Sequence, residues 1–374
     1  MKFIKRFLPI MLIFMLALTG CSQTSDEGKK EEATTKTVTD ILGREVEIPS
    51  ESDSIIALGA GALRMVCYMQ GTDKVVGVEN LESETDIARP YSYVYPELSK
   101  LPVVGEGGSN GSVAYQEEII KAEPDVIIAA YDKDMAEDLT KKTGIPVVTV
   151  SYDGIFDENM DKSLKLIGEV IGKQDRADEL VTYMDELEKD LNDRTKDIAD
   201  EDKPTVYTGA VSFRGEHGFE GTYAKYPPFD AINAKNVVDE TKKSGALLID
   251  LEKVSTWDPD IIFLNPTNMK LVNEDYKKNP DFYNSLSAVE NKKVYSQPSY
   301  NWYTTNVEIA IADAYYAGTI IYPEQFKDVK VEEKADEIYK KFLGKKLYSD
   351  FVKEGLGFGP ITIGEWLDVS NETA

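Results

Sequence analysis

The chain has 374 residues, of which 42% are hydrophobic, and a formal net charge of −25 at pH 7. That apolar fraction suffices for the cores of one large or two medium domains, while the acidic balance excludes nucleic acid and anionic lipid headgroups as general partners. Two cysteines and one histidine, His217, argue against a zinc site of the usual kind, and neither a resident metal nor a cofactor is expected.

Residues 1–20 have the layout of a secretory signal. Lys2, Lys5 and Arg6 precede an apolar run at 7–18, which ends in Leu18-Thr19-Gly20-Cys21. The run is shorter than the ~20 residues that span a bilayer. Its small-small-Cys ending resembles a bacterial lipobox, in which the cysteine thiol takes a diacylglycerol and the signal is removed. Cys21 is then the lipidated N-terminus, and the lipid, contributing ~0.8 kcal/mol per buried methylene, holds the body on the extracytoplasmic side of the cell membrane. Cys67, left without a disulfide partner among Leu63, Met65 and Val66, reads as a buried thiol. Residues 21–37 are mostly Ser, Thr, Glu and Lys and read as a flexible tether.

Residues 38–49 alternate around Gly43 like a small hairpin. A strand at 54–58 runs through Gly59-Ala60-Gly61 into a helix ending near Gln70. Strands at 75–78, 101–104, 126–130 and 145–150 then alternate with helices at 114–122 and 135–143, the pattern of a parallel α/β layer. From about 174 to 199 no breaker occurs. Leu180, Met184, Leu187 and Leu191 form a narrow apolar stripe on a charged helix. At 1.5 Å per residue this is a rod of roughly 38 Å, too polar for a core, and it predicts a stiff connection across two bodies. After Pro204, strands at 205–208, 261–264 and 293–296 return, with helices near 228–234, 307–320 and 334–342. The expected organisation is an N-terminal α/β lobe at 38–172, a connecting helix at 173–201 and a C-terminal α/β lobe at 202–374.

The two halves share a signature. Glu117 stands seven positions before Pro124-Asp125, and Glu252 seven before Pro259-Asp260; each Pro-Asp launches an apolar strand. Two copies on either side of a long helix point to two lobes of like topology. Together with the lipobox and the Asp40-x-x-Gly43-Arg44-x-Val46-x-Ile48-Pro49 hairpin, these features resemble the helical-backbone (class III) substrate-binding proteins of ABC importers for iron-siderophore, haem and cobalamin uptake. Residues 59–64, 89–91, 222–229 and 320–326 resemble the branch described as binding iron complexes. The resemblance covers roughly residues 38–366. It implies two Rossmann-like lobes joined by one long rigid α-helix, a ligand cleft between them, small closure, and a permease dimer with its ATPase as partner. It also implies that Glu117 and Glu252 dock onto arginines of the two permease subunits. Ferric siderophore, haem, corrinoid or another metal chelate fits as ligand.

Ligands of parallel α/β sheets sit at the carboxyl ends of strands. Arg64, Arg89 and Arg214 fall near such loops and are the candidate anion clamps, since arginine grips carboxylates bidentately and stacks on rings. Tyr91, Tyr131, Tyr223, Tyr300, Trp302 and Tyr303 fall in predicted loops or strand ends, where aromatic faces suit bulky chelates. A phenol or His217 offers a ligand to an open coordination position. The rival class is a surface serine hydrolase, because Gly107-Gly108-Ser109-Asn110-Gly111 formally matches a G-x-S-x-G elbow and His217 follows it. The elbow needs a strand directly before the turn; four residues, 105–108, intervene, so a loop and no enzyme activity are expected.

Overall fold

The computed structural model describes residues 34–108 and 111–365. The signal, Cys21 and most of the expected tether lie outside the described residues, as does Ser109 of the formal hydrolase elbow. Among the described residues no helix is long and apolar enough to cross a membrane.

An antiparallel hairpin of β1 (Thr35–Thr39) and β2 (Glu45–Pro49) leads in. It begins inside the segment read as tether, because Thr35 and Lys36 pair with Pro49 and Ile48. The first half then runs β3 (Ile55–Leu58), α1 (Ala62–Tyr68), β4 (Val75–Glu79), α2 (Pro90–Val94), β5 (Val103–Glu106), β6 (Val113–Ala114), α3 (Gln116–Ala122), β7 (Val126–Ala129), α4 (Lys133–Thr143) and β8 (Val147–Thr149). Its six-stranded sheet has the order β6-β5-β4-β3-β7-β8, with only β6 antiparallel. After α5 (Glu158–Ile171) and α6 (Gln174–Thr195), the second half runs β9 (Thr205–Gly209), β10 (Gly221–Ala224), α7 (Pro227–Asp230), β11 (Lys235–Asn236), β12 (Gly245–Leu248), α8 (Leu251–Trp257), β13 (Ile261–Leu264), α9 (Met269–Lys278), α10 (Pro280–Asn284), α11 (Ser287–Glu290), β14 (Val294–Ser296), α12 (Val307–Ile321), α13 (Val331–Leu343), α14 (Tyr348–Lys353) and β15 (Gly359–Pro360). Its sheet has the order β11-β9-β13-β14-β15, with β15 antiparallel, and β10 and β12 form a separate antiparallel pair. The fold is α/β with two lobes, each a mainly parallel sheet flanked by helices. Strands β3, β7 and β13 are buried at every position, which is why they read as unbroken apolar runs.

The paired Pro-Asp signature has a physical cause. α3 and α8 are both seven-residue helices, closed by left-handed residues Glu123 and Asp258 at φ 49° and 43°. The following Asp125 carboxylate accepts from the Asp53 and Ser54 amides at 2.8 and 2.9 Å, fixing the start of β3. Asp260 accepts from the Thr205 amide and hydroxyl, both at 2.7 Å, fixing the start of β9. The same device therefore locks the helix end to the neighbouring parallel strand in each lobe.

Helix α6 has 22 residues, so it spans ~33 Å and ends at Thr195, short of the expected Ala199. Ile198 turns back to the Thr195 carbonyl at 3.1 Å and packs on the core. The apolar stripe is buried: Leu180, Met184, Leu187 and Leu191 are at most 4% exposed. A helix this charged is nonetheless a core element, because its stripe faces α5 and α12 while the charges face water. Arg176 donates to the Tyr68 carbonyl at 3.0 Å and to the Lys341 carbonyl, and Arg194 grips Asp328 bidentately at 2.7 and 2.9 Å. Helix α13 also packs against first-lobe α1 and α2, and buried Tyr68 of α1 donates to Glu308 of α12 across the same seam. One core cluster consequently runs from Ile55 in the first sheet to Phe263 in the second. Lobes that share a packed core resist large hinge motion.

Candidate functional site

The carboxyl ends of both sheets face a cleft of about 940 Å³. The first lobe supplies Gly59 and Ala60 after β3, Gly107 and Gly108 after β5, Ser112, and Ala130 and Tyr131 after β7. The tight β3–α1 turn needs Gly61, at φ 86°, since a Cβ there would lie 2.5 Å from the Tyr152 ring. The second lobe supplies residues 212–216 after β9, Asn265 and Thr267 after β13, and Ser299, Asn301 and Trp302 to Thr304 after β14.

Beneath the cleft, Glu79 ends β4 and is only 3% exposed. It accepts from the Gly59 amide at 3.0 Å, the Tyr303 hydroxyl at 2.7 Å and the Ser112 hydroxyl. Burial pushes its pKa up, and these hydrogen bonds oppose the rise. The Tyr131 hydroxyl extends the network to Ser112 Oγ at 2.8 Å, and burial raises its pKa to about 12, so it is a neutral hydrogen-bonding group at ordinary pH. This network ties first-lobe residues to Tyr303 of the second.

The Trp302 loop is strained and held from below. Tyr303 and Thr304 stand at φ 53° and 67°, a left-handed conformation costly for any side chain and most of all for β-branched threonine. Arg64 offsets that cost. Fully buried, it donates to the Trp302 carbonyl at 2.7 Å, the Tyr303 carbonyl at 3.0 Å, the Tyr152 hydroxyl at 2.6 Å and Asn306 Oδ1 at 3.0 Å. Burial alone would lower its pKa, but Tyr152, Tyr91, Tyr68 and Glu308 hold it above the ordinary arginine value. The loop thus presents the Trp302 ring, 42% exposed, as a cleft wall.

Residues 55–300 match the periplasmic binding protein family. The chain belongs to that family. Its members and relatives are solute-binding proteins, not enzymes. The molybdate-binding protein MolA of Haemophilus influenzae is 25% identical over 327 residues, covering 82% of this chain and 90% of MolA. Two Bacillus subtilis proteins are also similar. One is an uncharacterized ABC transporter substrate-binding lipoprotein, YvrC, 26% identical over 85% of this chain and 97% of its own. The other is the Fe(3+)-citrate-binding protein YfmC, 25% identical over 78% of this chain and 89% of its own. Among solved structures, a periplasmic solute binding protein from Veillonella parvula shares the fold with a TM-score of 0.68 at 22% identity, covering 86% of this chain and 96% of the other.

Of the residues singled out from sequence, this binding protein brings Tyr131, Arg214, Trp302 and Tyr303 together around the cleft. Arg64 lies under it, as described. Arg89 is 2% exposed and spent on Glu82 at 2.8 Å and on the Leu81 and Glu84 carbonyls, with its guanidinium 5.8 Å from the Trp302 ring centroid. Tyr91 is buried and donates to Glu82 at 2.8 Å. Both arginines therefore shape the wall from behind instead of reaching into it, because each meets buried acceptors before it meets solvent. Tyr223 and Tyr300 turn away to pack around Tyr226. His217 stacks on Phe213 at 4.1 Å with Nε2 2.9 Å from the Phe213 carbonyl, bracing the Arg214 loop. Sequence reasoning missed Glu79, Ser112, Ser212, Phe213 and Asn265. The one sequence signal, for all but Ser112, is a place within a few residues after a predicted strand. Arg214 is exposed, sits at φ 51° in its loop, and has no ion pair among the described residues.

Glu117 and Glu252 occupy equivalent places, in the first turns of α3 and α8. Both are exposed and without ion pairs among the described residues. Their neighbour Glu118 pairs with Lys121 at 3.3 Å.

Proposed function

We propose that this protein is the extracytoplasmic substrate-binding lipoprotein of an ABC importer. It captures an iron complex of the ferric siderophore type in the inter-lobe cleft and delivers it to a permease dimer with its ATPase. The observation that carries this reading is the cleft itself. At about 940 Å³ it lies near the top of the ~300–1,000 Å³ range of small-molecule sites, far too large for a bare oxyanion or metal ion alone. Its wall is aromatic, with Trp302, Phe213, Tyr131 and Tyr303, around a single cation, Arg214. Among the described residues no group of three His, Cys, Asp or Glu is placed to hold a metal, so the metal arrives with its own organic ligands. A carboxylate or phenolate edge of such a chelate suits Arg214, and its flat faces suit the rings. The relative named for ferric citrate supports iron, and the relative named as an ABC transporter lipoprotein supports both the transporter and an anchor at Cys21. The soluble body purified from its native host is expected to carry an iron chelate, identified by mass spectrometry of the released organic molecule and metal. Recovery of molybdate or a metal-free solute would refute the iron reading.

Docking to the permease is assigned to Glu117 and Glu252. Two carboxylates at equivalent sites on two lobes match two equivalent cationic pockets on a dimer. Glu117→Ala with Glu252→Ala is expected to leave ligand affinity unchanged and to cut transport, more in the double variant than in either single one. Wild-type transport by the double variant would return both residues to the solvated surface.

A further inference from the structure

We infer that each docking carboxylate is set in an apolar contact, so that the permease meets two greasy patches with a charge in each and not two bare charges. The inference rests on the docking role proposed for Glu117 and Glu252. Seven large hydrophobic side chains are more than two-fifths exposed among the described residues. Met135 and Trp302 belong to the cleft mouth. Three of the remaining five, Val113, Ile120 and Leu248, lie within four residues of the two glutamates in sequence.

Ile120 lies one turn beyond Glu117 on α3, and residues three apart share a helix face; it is 48% exposed. Val113, 54% exposed, is on the edge strand β6 that leads into the same helix. In the second lobe Leu248, 55% exposed, ends β12 four residues before Glu252. A lone exposed aliphatic needs no explanation. Here they recur close in sequence to both members of a matched carboxylate pair, in a chain whose formal charge is −25.

The physics favours the arrangement. A solvent-exposed ion pair contributes little, since water and salt screen it. Apolar side chains that close around the pair exclude that water and strengthen the charge contact, as the rim does around interface hot spots. The occupant is the extracytoplasmic face of the permease dimer, presenting on each subunit an arginine ringed by apolar side chains.

The test measures binding of the purified protein to its permease–ATPase complex in nanodiscs, at low and high salt. Ile120→Ser with Leu248→Ser is expected to weaken binding about tenfold or more and to steepen its salt dependence, with ligand affinity and melting unchanged. Val352→Ser, at an equally exposed aliphatic on α14, is the control and is expected to bind like wild type. Ile120→Glu separates the mechanisms. Docking by charge alone predicts tighter binding at low salt, whereas an apolar contact predicts weaker binding. Tighter or unchanged binding of Ile120→Glu, or wild-type binding of the serine pair while Glu117→Ala with Glu252→Ala abolishes it, overturns this inference and leaves the docking role standing. Wild-type binding by the glutamate variant as well removes both.

Discussion

Replacing Arg64 by methionine is expected to cost about 3–5 kcal/mol of stability, the range for removing one partner from a buried charged network. The guanidinium is fully buried, so methionine fills much of its volume while leaving four acceptors, one at Tyr152 and three within 302–306, without donors. Two of them are the carbonyls that hold Tyr303 and Thr304 left-handed. The measurement is the urea midpoint at constant m-value. The loss should also depend on pH. Burial raises the Glu308 carboxyl above its ordinary 4.5, and Arg64 opposes that rise. With or without Arg64 the folded state holds the Glu308 proton more tightly than the unfolded state does, and without Arg64 more tightly still. Both proteins lose stability as pH rises above 4.5, but the variant goes on losing it after wild type has passed its own folded pKa, so the extra destabilisation is absent below 4.5 and complete above the variant's folded pKa. The stability gap between Arg64→Met and wild type is therefore expected to be wider at pH 8 than at pH 4. An equal gap at both would show that Glu308 does not sense the arginine. Arg64→Lys should recover only part of the loss, since an ammonium cannot reproduce the planar fork that serves Trp302, Tyr303 and Asn306 together.

Trp302→Ala and Arg214→Ala are each expected to weaken ligand binding by ~1–3 kcal/mol, roughly 5- to 150-fold. The first removes the most exposed aromatic wall, whose ring has no hydrogen-bonding role in the fold among the described residues. The second removes the cleft's cation, which is equally uncommitted. Neither change should alter melting by more than a surface substitution does. Titration of the variants with the chelate recovered from the native protein reads the effect. Wild-type affinity in both would place the ligand elsewhere on the molecule. Arg64→Met should reduce affinity as well, by releasing the Trp302 loop, but with loss of stability. That difference separates a residue touching the ligand from one that positions its wall.

The α/β alternation, the long helix and the second lobe were legible in the sequence because each is a local regularity. Strands covered on both faces are continuous apolar runs, and the α6 stripe repeats at the helical period. The paired Pro-Asp signature is readable in both halves because the helix stop it marks is local, although the strands its aspartates hold, β3 and β9, lie 55 to 72 residues earlier in the chain. α5 was missed although Met160, Leu164, Ile167 and Ile171 mark its buried face. Among the candidate arginines the sequence had no means of choosing. Arg64, Arg89 and Arg214 all follow strands. Arg64 is claimed by acceptors 88 to 242 residues away, and only Arg214 remains free for a ligand. Glu79 and Ser112 carry no motif, yet folding brings them together with Tyr303, 224 residues from Glu79, at the floor of the cleft. Periodicity and capping are properties of a segment and are written in it. Burial and the identity of a polar group's partner belong to the packed whole, and only the tertiary structure decided them.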